Sequence, residues 1–156
     1  MTDQSPRTSA ESALRTSDIE MRAIAELKSR IEDKFAKAVD ILASVSGRVI
    51  VSGMGKSGHI GNKIAATLAS TGTPAQFVHP AEACHGDMGM ITRSDAALLM
   101  SNSGTTSEIT ALLPMLKRLG IPIIAMTGNP SSILASAADI HLNIGVEEEA
   151  CPHDLA

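Results

Sequence analysis

A chain of 156 residues, 44% apolar and 19% charged, has enough material for one compact domain with a single core and too little charge imbalance for wholesale disorder. A net charge of −4, no Trp or Tyr, and aromatic rings only at Phe35 and Phe77 argue against a nucleic-acid partner, which needs a basic footprint and rings for stacking. No apolar run approaches the ~18 residues that span a bilayer, and the first residues lack the apolar stretch of a secretory leader. The chain therefore reads as cytoplasmic with no membrane partner, and Cys84 and Cys151 as small reduced thiols rather than a disulfide framework.

In chain order, residues 1–16 are polar and read as a disordered tail. Ser17 and Glu20 have capping-box spacing, and Ile24, Leu27, Ile31, Phe35, Ala38, Leu42 and Val45 recur at three- and four-residue intervals, which predicts one long amphipathic helix ending at Gly47. Such a helix packs on its own domain or supplies a subunit contact. From there short apolar runs predict strands at Val49–Val51, Ala75–Val78, Ala96–Met100, Ile121–Met126 and Ile140–Ile144. Helices are predicted between them at Ile60–Ser70, Glu108–Leu119 with Gly120 as C-cap, and Ser131–Ala138, while Ala81–Ile91 is less regular. Alternating strand and helix with short links implies a doubly wound parallel sheet, α/β in class, with its ligand site outside the carboxyl ends of the strands.

The segments after those strand ends carry the chemistry. Gly53-Met54-Gly55-Lys56-Ser57-Gly58 ends like a Walker A loop, but the first glycine that motif needs falls on Ile50. It also satisfies G-x-G-x-x-G, yet the acidic residue a dinucleotide wants ~20 positions on is replaced by Val78-His79-Pro80. A more general anion loop survives both tests: glycines admit backbone N–H groups, the helix that follows lends its positive end, and Lys56 and Ser57 add donors. A tight turn with a solvated lysine is the bland alternative. After the third strand comes Ser101-Asn102-Ser103-Gly104-Thr105-Thr106-Ser107-Glu108, more hydroxyl and amide groups than a helix cap uses, which suits a phosphate monoester. Thr127-Gly128-Asn129-Pro130-Ser131-Ser132 reads as a plain turn and cap.

Together GMGKSGHIG at 53–61, STGTP at 70–74, HPAEACHGD at 79–87, SNSGTTSEI at 101–109, LKRLGIPIIAMTGNPSS at 116–132 and EACP at 149–152 resemble the sugar isomerase (SIS) domain of arabinose-5-phosphate isomerases. The resemblance implies a three-layer αβα sandwich on a five-stranded parallel sheet, flavodoxin-like in winding, behind a long N-terminal helix. It makes 17–156 the SIS domain, C-terminally truncated relative to the family and without CBS modules. It also implies reversible interconversion of D-arabinose 5-phosphate and D-ribulose 5-phosphate, the step that feeds Kdo and lipopolysaccharide synthesis. By motif, Ser57, Ser101, Asn102, Ser103 and Thr106 match phosphate-binding positions, and Lys56, Glu108 and Glu149 match polar active-site positions.

Those residue types fit the chemistry. An enediol route moves a proton between C1 and C2, so it needs a base beside the carbon and positive charge facing the oxygens, with no redox cofactor. Glu108 or Glu149 can be the base, and Lys56 can face the oxyanion; Glu149 alone would read as one charge in the run Glu147-Glu148-Glu149. His79, His85, Asp87, Cys84 and Cys151 lack the tight spacing of a zinc site, so no metal is expected, and His85 and Asp87 read as groups lining the sugar pocket. His59 reads as helix-start packing. A sugar-phosphate-binding module without catalysis, or an assembly subunit, remains the alternative, and the sheet and long helix lead to the expectation of a homodimer or homotetramer.

Overall fold

The computed structural model describes residues 8–151. They divide into two compact units, one of 32–145 and one built from the N-terminal residues through Ile31 together with the segment from Val146 onward.

The larger unit holds strands β1 (Val49–Gly53), β2 (Ala75–Phe77), β3 (Ala96–Met100), β4 (Ile123–Thr127) and β5 (Ile140–Asn143), all parallel, in the order β2-β1-β3-β4-β5. Continuous apolar runs such as Ala-Ala-Leu-Leu-Met in β3 form strands covered on both faces, and every residue of β1 and β3 is buried. Alternate side chains go to opposite layers. Val49, Val51, Leu98 and Ile124 join Ala38, Ala65 and the half-buried Ile41 and Leu68, from α2 (Asp33–Ser44) and α3 (Gly55–Ser70). Ile50, Leu99, Ile123 and Ala125 join Ala83, Ile109, Leu116 and Leu134 from the other side, where α4 (Pro80–Cys84), α5 (Ser107–Thr110), α6 (Leu113–Leu119) and α7 (Ile133–Ala137) lie. This is the expected three-layer αβα arrangement with flavodoxin-like winding.

The amino-terminal edge of the sheet is fastened by acids. Asp95, 2% exposed, takes the backbone N–H of Arg48 on Oδ1 and that of Thr92 on Oδ2, each at 2.7 Å. Asp139 does the same for Ile123 N–H at 2.8 Å. The carboxyl edge is thereby left to the loops.

The smaller unit contains α1, Ser9–Lys28, and here the expectation fails in two places. The helix begins eight residues before Ser17, on a capping box in which Thr8 Oγ1 accepts from Glu11 N–H (3.2 Å) and Glu11 Oε2 accepts from Thr8 N–H (2.7 Å). Ser17 lies inside it, so the expected tail over 1–16 is helical from Ser9; residues 1–7 lie outside the described residues. The single helix to Gly47 is also broken. Ser29 Oγ donates to the Glu26 carbonyl at 2.7 Å, and Glu32 is extended, capping a separate α2. Glu108–Leu119 is likewise two helices, because Pro114 has no N–H to give the Thr110 carbonyl. Gly120 caps α6 at φ +70°, as expected.

No described helix is long and apolar enough to cross a membrane.

Candidate functional site: two loops at the strand-order switch

In the order β2-β1-β3-β4-β5, chain direction across the sheet reverses between β1 and β3, and the crevice outside their carboxyl ends is where such sheets bind ligands. β1 and β3 are hydrogen-bonded neighbours with Gly53 opposite Met100, so the GMGKSG and SNSGTT segments leave the sheet side by side.

The first loop is short and tight. α3 starts at Gly55 directly after Met54, which puts Lys56, exposed, and Ser57, half-buried, in its first turn. A Cβ at Gly58 would stand 2.6 Å from the Gly53 carbonyl oxygen, so glycine there lets the helix close on its own strand. α3 has 16 residues, enough for a positive dipole end at this loop. His59 is exposed on the same turn. Buried Ser52 donates its hydroxyl to the Val78 carbonyl (2.7 Å), tying the end of β1 to the start of the His79–Asp87 segment.

The second loop is held by its own hydroxyls. Ser101, 4% exposed, accepts from Gly104 N–H at 3.1 Å and shares a 2.8 Å hydrogen bond with Thr106 Oγ1. Its hydroxyl therefore shapes the loop from inside. Ser103 Oγ accepts from Thr105 N–H (3.2 Å) and hydroxyl (3.1 Å). Asn102, Ser103, Thr105 and Ser107 are exposed, and Thr106 is half-buried. α5 has a single turn, so the hydroxyls, the Asn102 amide and loop N–H groups must supply this wall's donors rather than a helix dipole.

Gly104, at φ +66°, is the hinge of that loop, and a Cβ there would fall on the Ser132 side chain. The β4–α7 turn braces it: Leu134 N–H reaches the Gly104 carbonyl at 3.1 Å, and Gly128 N–H the Asn102 carbonyl at 2.8 Å. Ser132 caps α7, accepting from Ala135 N–H, as the turn-and-cap reading requires. The turn is itself pinned by Thr127, whose Oγ1 contacts Asn129 O, Asn129 N and His141 Nε2 at 2.9, 3.1 and 2.9 Å. The hydroxyl has one proton; given to Asn129 O, it requires His141 Nε2 to carry its own. The turn and the Ser132 cap are read from the sequence, but the bracing of the Gly104 loop by Ser132 and the bond of Thr127 to His141 are not, because they depend on which strands are adjacent.

Glu108 follows the loop at the second position of α5. The Ser107 hydroxyl donates to its Oε2 at 2.7 Å, and that bond, with the Glu108 backbone N–H and nearby His79, holds its carboxyl below the usual range. His79 Nδ1 accepts from Ala81 N–H at 3.3 Å and caps α4; His85, which ends α4, and Asp87 are exposed. Among the described residues no three His, Cys, Asp or Glu side chains converge to hold a metal ion.

Glu149 belongs to the smaller unit and is half-buried. Its neighbour Glu148 carries two arginines, Arg15 at 2.6 Å and Arg22 at 3.1 Å.

With this geometry in view, comparison with known proteins is specific. The SIS domain family matches residues 41–155. The arabinose 5-phosphate isomerase KdsD of Pseudomonas aeruginosa is 61% identical over 145 residues, 93% of this chain and 44% of that protein. KdsD of Escherichia coli K12 is 56% identical over 138 residues, 88% of this chain and 42% of that one. The chain thus spans less than half the length of these curated relatives. A solved E. coli CFT073 protein in complex with arabinose 5-phosphate superposes with a TM-score of 0.89 at 42% identity, covering 94% of this chain and 78% of that one.

Proposed function

We propose that this chain, which belongs to the SIS domain family, interconverts D-arabinose 5-phosphate and D-ribulose 5-phosphate through an enediol. The observation that carries the reading is the pairing of two donor-rich loops, GMGKSG and SNSGTT, at the carboxyl ends of adjacent β1 and β3. The identity to KdsD enzymes and the likeness to a solved complex with arabinose 5-phosphate support the substrate.

In this reading the phosphate lies between the loops and accepts from Ser57, Asn102, Ser103, Thr106 and backbone N–H groups, while Ser101 keeps the second loop in shape. Each bond to the charged group is worth about 1.5–3 kcal/mol. Glu149 removes the C2 proton of the aldose and then, as the acid, delivers a proton to C1, and the Lys56 ammonium faces the negative charge that forms on the oxygens between those steps. Proton transfer by a placed base contributes roughly 10²–10⁴ in rate. Glu108, already satisfied by Ser107 and held below the usual carboxylate range, is a weaker proton acceptor and serves as a fixed anion that receives a sugar hydroxyl. His85 and Asp87 line the sugar side. No redox cofactor enters the balance, since C2 is oxidised as C1 is reduced within one molecule: C2 gives up a proton, C1 takes one, and the hydroxyl proton of O2 passes to O1.

The cellular setting follows from the same reading: a cytoplasmic step supplying the precursor of Kdo for lipopolysaccharide. Self-association fits the apolar side chains that α1 leaves open, Leu14, Met21 and Ile24, each more than 60% exposed. A homodimer or homotetramer is expected, and light scattering that finds a monomer at micromolar concentration would count against it.

The test is conversion of D-arabinose 5-phosphate by the purified chain, with unphosphorylated D-arabinose as control. Enzyme-dependent ketose only from the phosphorylated sugar is the expected result. Saturable binding without conversion would leave a binding module instead.

A further inference from the structure

The arginines of α1 take a grip on the segment that carries Glu149. Arg15 Nη2 meets Glu148 Oε1 at 2.6 Å and Arg22 Nη2 meets Oε2 at 3.1 Å, so both oxygens of one carboxylate are held by separate guanidinium groups. Arg15 spends its second arm on the Ala150 carbonyl at 3.2 Å. One side chain thereby bonds the residue before Glu149 and the residue after it.

The placement follows from helix periodicity. Arg15 and Arg22 are seven residues apart, two turns on one face, with Ile19 between them on the same stripe as the only buried residue of α1. The helix start at Ser9 puts Arg15 in the second turn, where it is only 29% exposed, whereas Arg22 is 64% exposed. A guanidinium with two bonded arms is pre-organised in a way an ammonium is not.

We propose that Arg15, with Arg22, is a positioning residue: it clamps 148–150 onto α1 and so fixes the backbone from which Glu149 works. This rests on the reading of Glu149 as the base of the isomerase. Partly exposed ion pairs add little to folding stability, so the clamp's effect is on geometry. Glu149 makes no hydrogen bond or ion pair among the described residues, which leaves its carboxylate available while its neighbours are tied.

The experiment compares the wild-type chain with Arg15→Glu, Arg15→Gln and the charge swap Arg15→Glu/Arg22→Glu/Glu148→Arg, reading kcat and KM for D-arabinose 5-phosphate, melting temperature, and amide exchange at 147–151. Arg15→Glu should lower kcat roughly tenfold or more, because a small misplacement of a reacting group is costly, with KM and melting temperature little changed. Amides at 148–150 should exchange faster in both single variants, and the swap should recover part of kcat, because it restores the pairing at 148 with reversed sign but supplies no donor to the Ala150 carbonyl. Unchanged kcat in Arg15→Glu, a fall in melting temperature without a fall in kcat, or a kcat loss that the swap leaves in place would each overturn the clamp. A wild-type chain with no turnover would overturn the proposed reaction instead. Exchange then decides the clamp by itself, and equal protection in wild type and Arg15→Gln would overturn it.

Discussion

Replacing Gly104 by alanine should damage both the fold and the SNSGTT loop, by an amount that follows from the contacts at that position. Gly104 has φ +66°, where an L residue costs about 1–2 kcal/mol. Its new Cβ would fall on the Ser132 Oγ and Cβ and come within 3.3 Å of Thr127 Cγ2, and overfilling of a packed site typically costs ~1–3 kcal/mol. Ser132 also caps α7 through Ala135 N–H at 3.2 Å, so pushing it aside endangers a cap worth ~1 kcal/mol. These costs overlap because the displaced side chain is the same, and a loss of about 2–4 kcal/mol is expected. Urea unfolding followed by circular dichroism would show it as a lower midpoint with an unchanged slope. The decisive control is the pair with Ser132→Gly, which removes the atoms struck. Gly104→Ala should cost at least about 1 kcal/mol less in that background, since the two residues are in contact. A cost under about 0.5 kcal/mol, or the same cost in both backgrounds, would refute the argument that this turn braces the loop.

Lys56→Ala should lower kcat far more than it raises KM for arabinose 5-phosphate, and equal losses in both would make Lys56 an anchor instead. His141→Ala removes the donor to Thr127 Oγ1, so arabinose 5-phosphate affinity, read by calorimetry, should weaken several-fold; unchanged affinity would cut His141 out of the loop's support. Asp95 is pushed up by burial but pulled further down by the Thr92 and Arg48 N–H groups, so its folded pKa lies below the unfolded one. Its stabilisation is present above the unfolded value of ~3.9 and disappears as pH falls through the lower folded value. Asp95→Asn should therefore destabilise the chain at pH 7 and flatten the acid limb of its stability profile, and parallel profiles for the two proteins would contradict this.

The sheet was legible because its strands are short apolar runs between Gly, Pro and Asp, a pattern that strands buried on both faces must show. The first helices were not. Apolar spacing continues from Leu27 through Ile31 to Phe35 as if one helix ran on, yet Ile31 and Phe35 are 55% and 45% exposed, and the break comes from the Ser29 hydroxyl and the extended Glu32. Thr8 and Glu11 carried the true capping signal in a stretch whose polarity suggested a tail. The two donor-rich loops could be read locally, since their donors are consecutive residues. Their support could not: Thr127 and His141 meet because β4 and β5 are in register, and Gly104 meets Ser132 because β3 and β4 are neighbours.

The most direct measurement of the isomerase claim is NMR of D-arabinose 5-phosphate with the purified chain in D₂O. A carboxylate that carries the proton between C2 and C1 exchanges it with solvent, so D-ribulose 5-phosphate should appear with deuterium at C1, and reversal should bring deuterium to C2 of the aldose. Turnover with no deuterium in either sugar would contradict the proposed proton transfer. No turnover at all would contradict the proposed function.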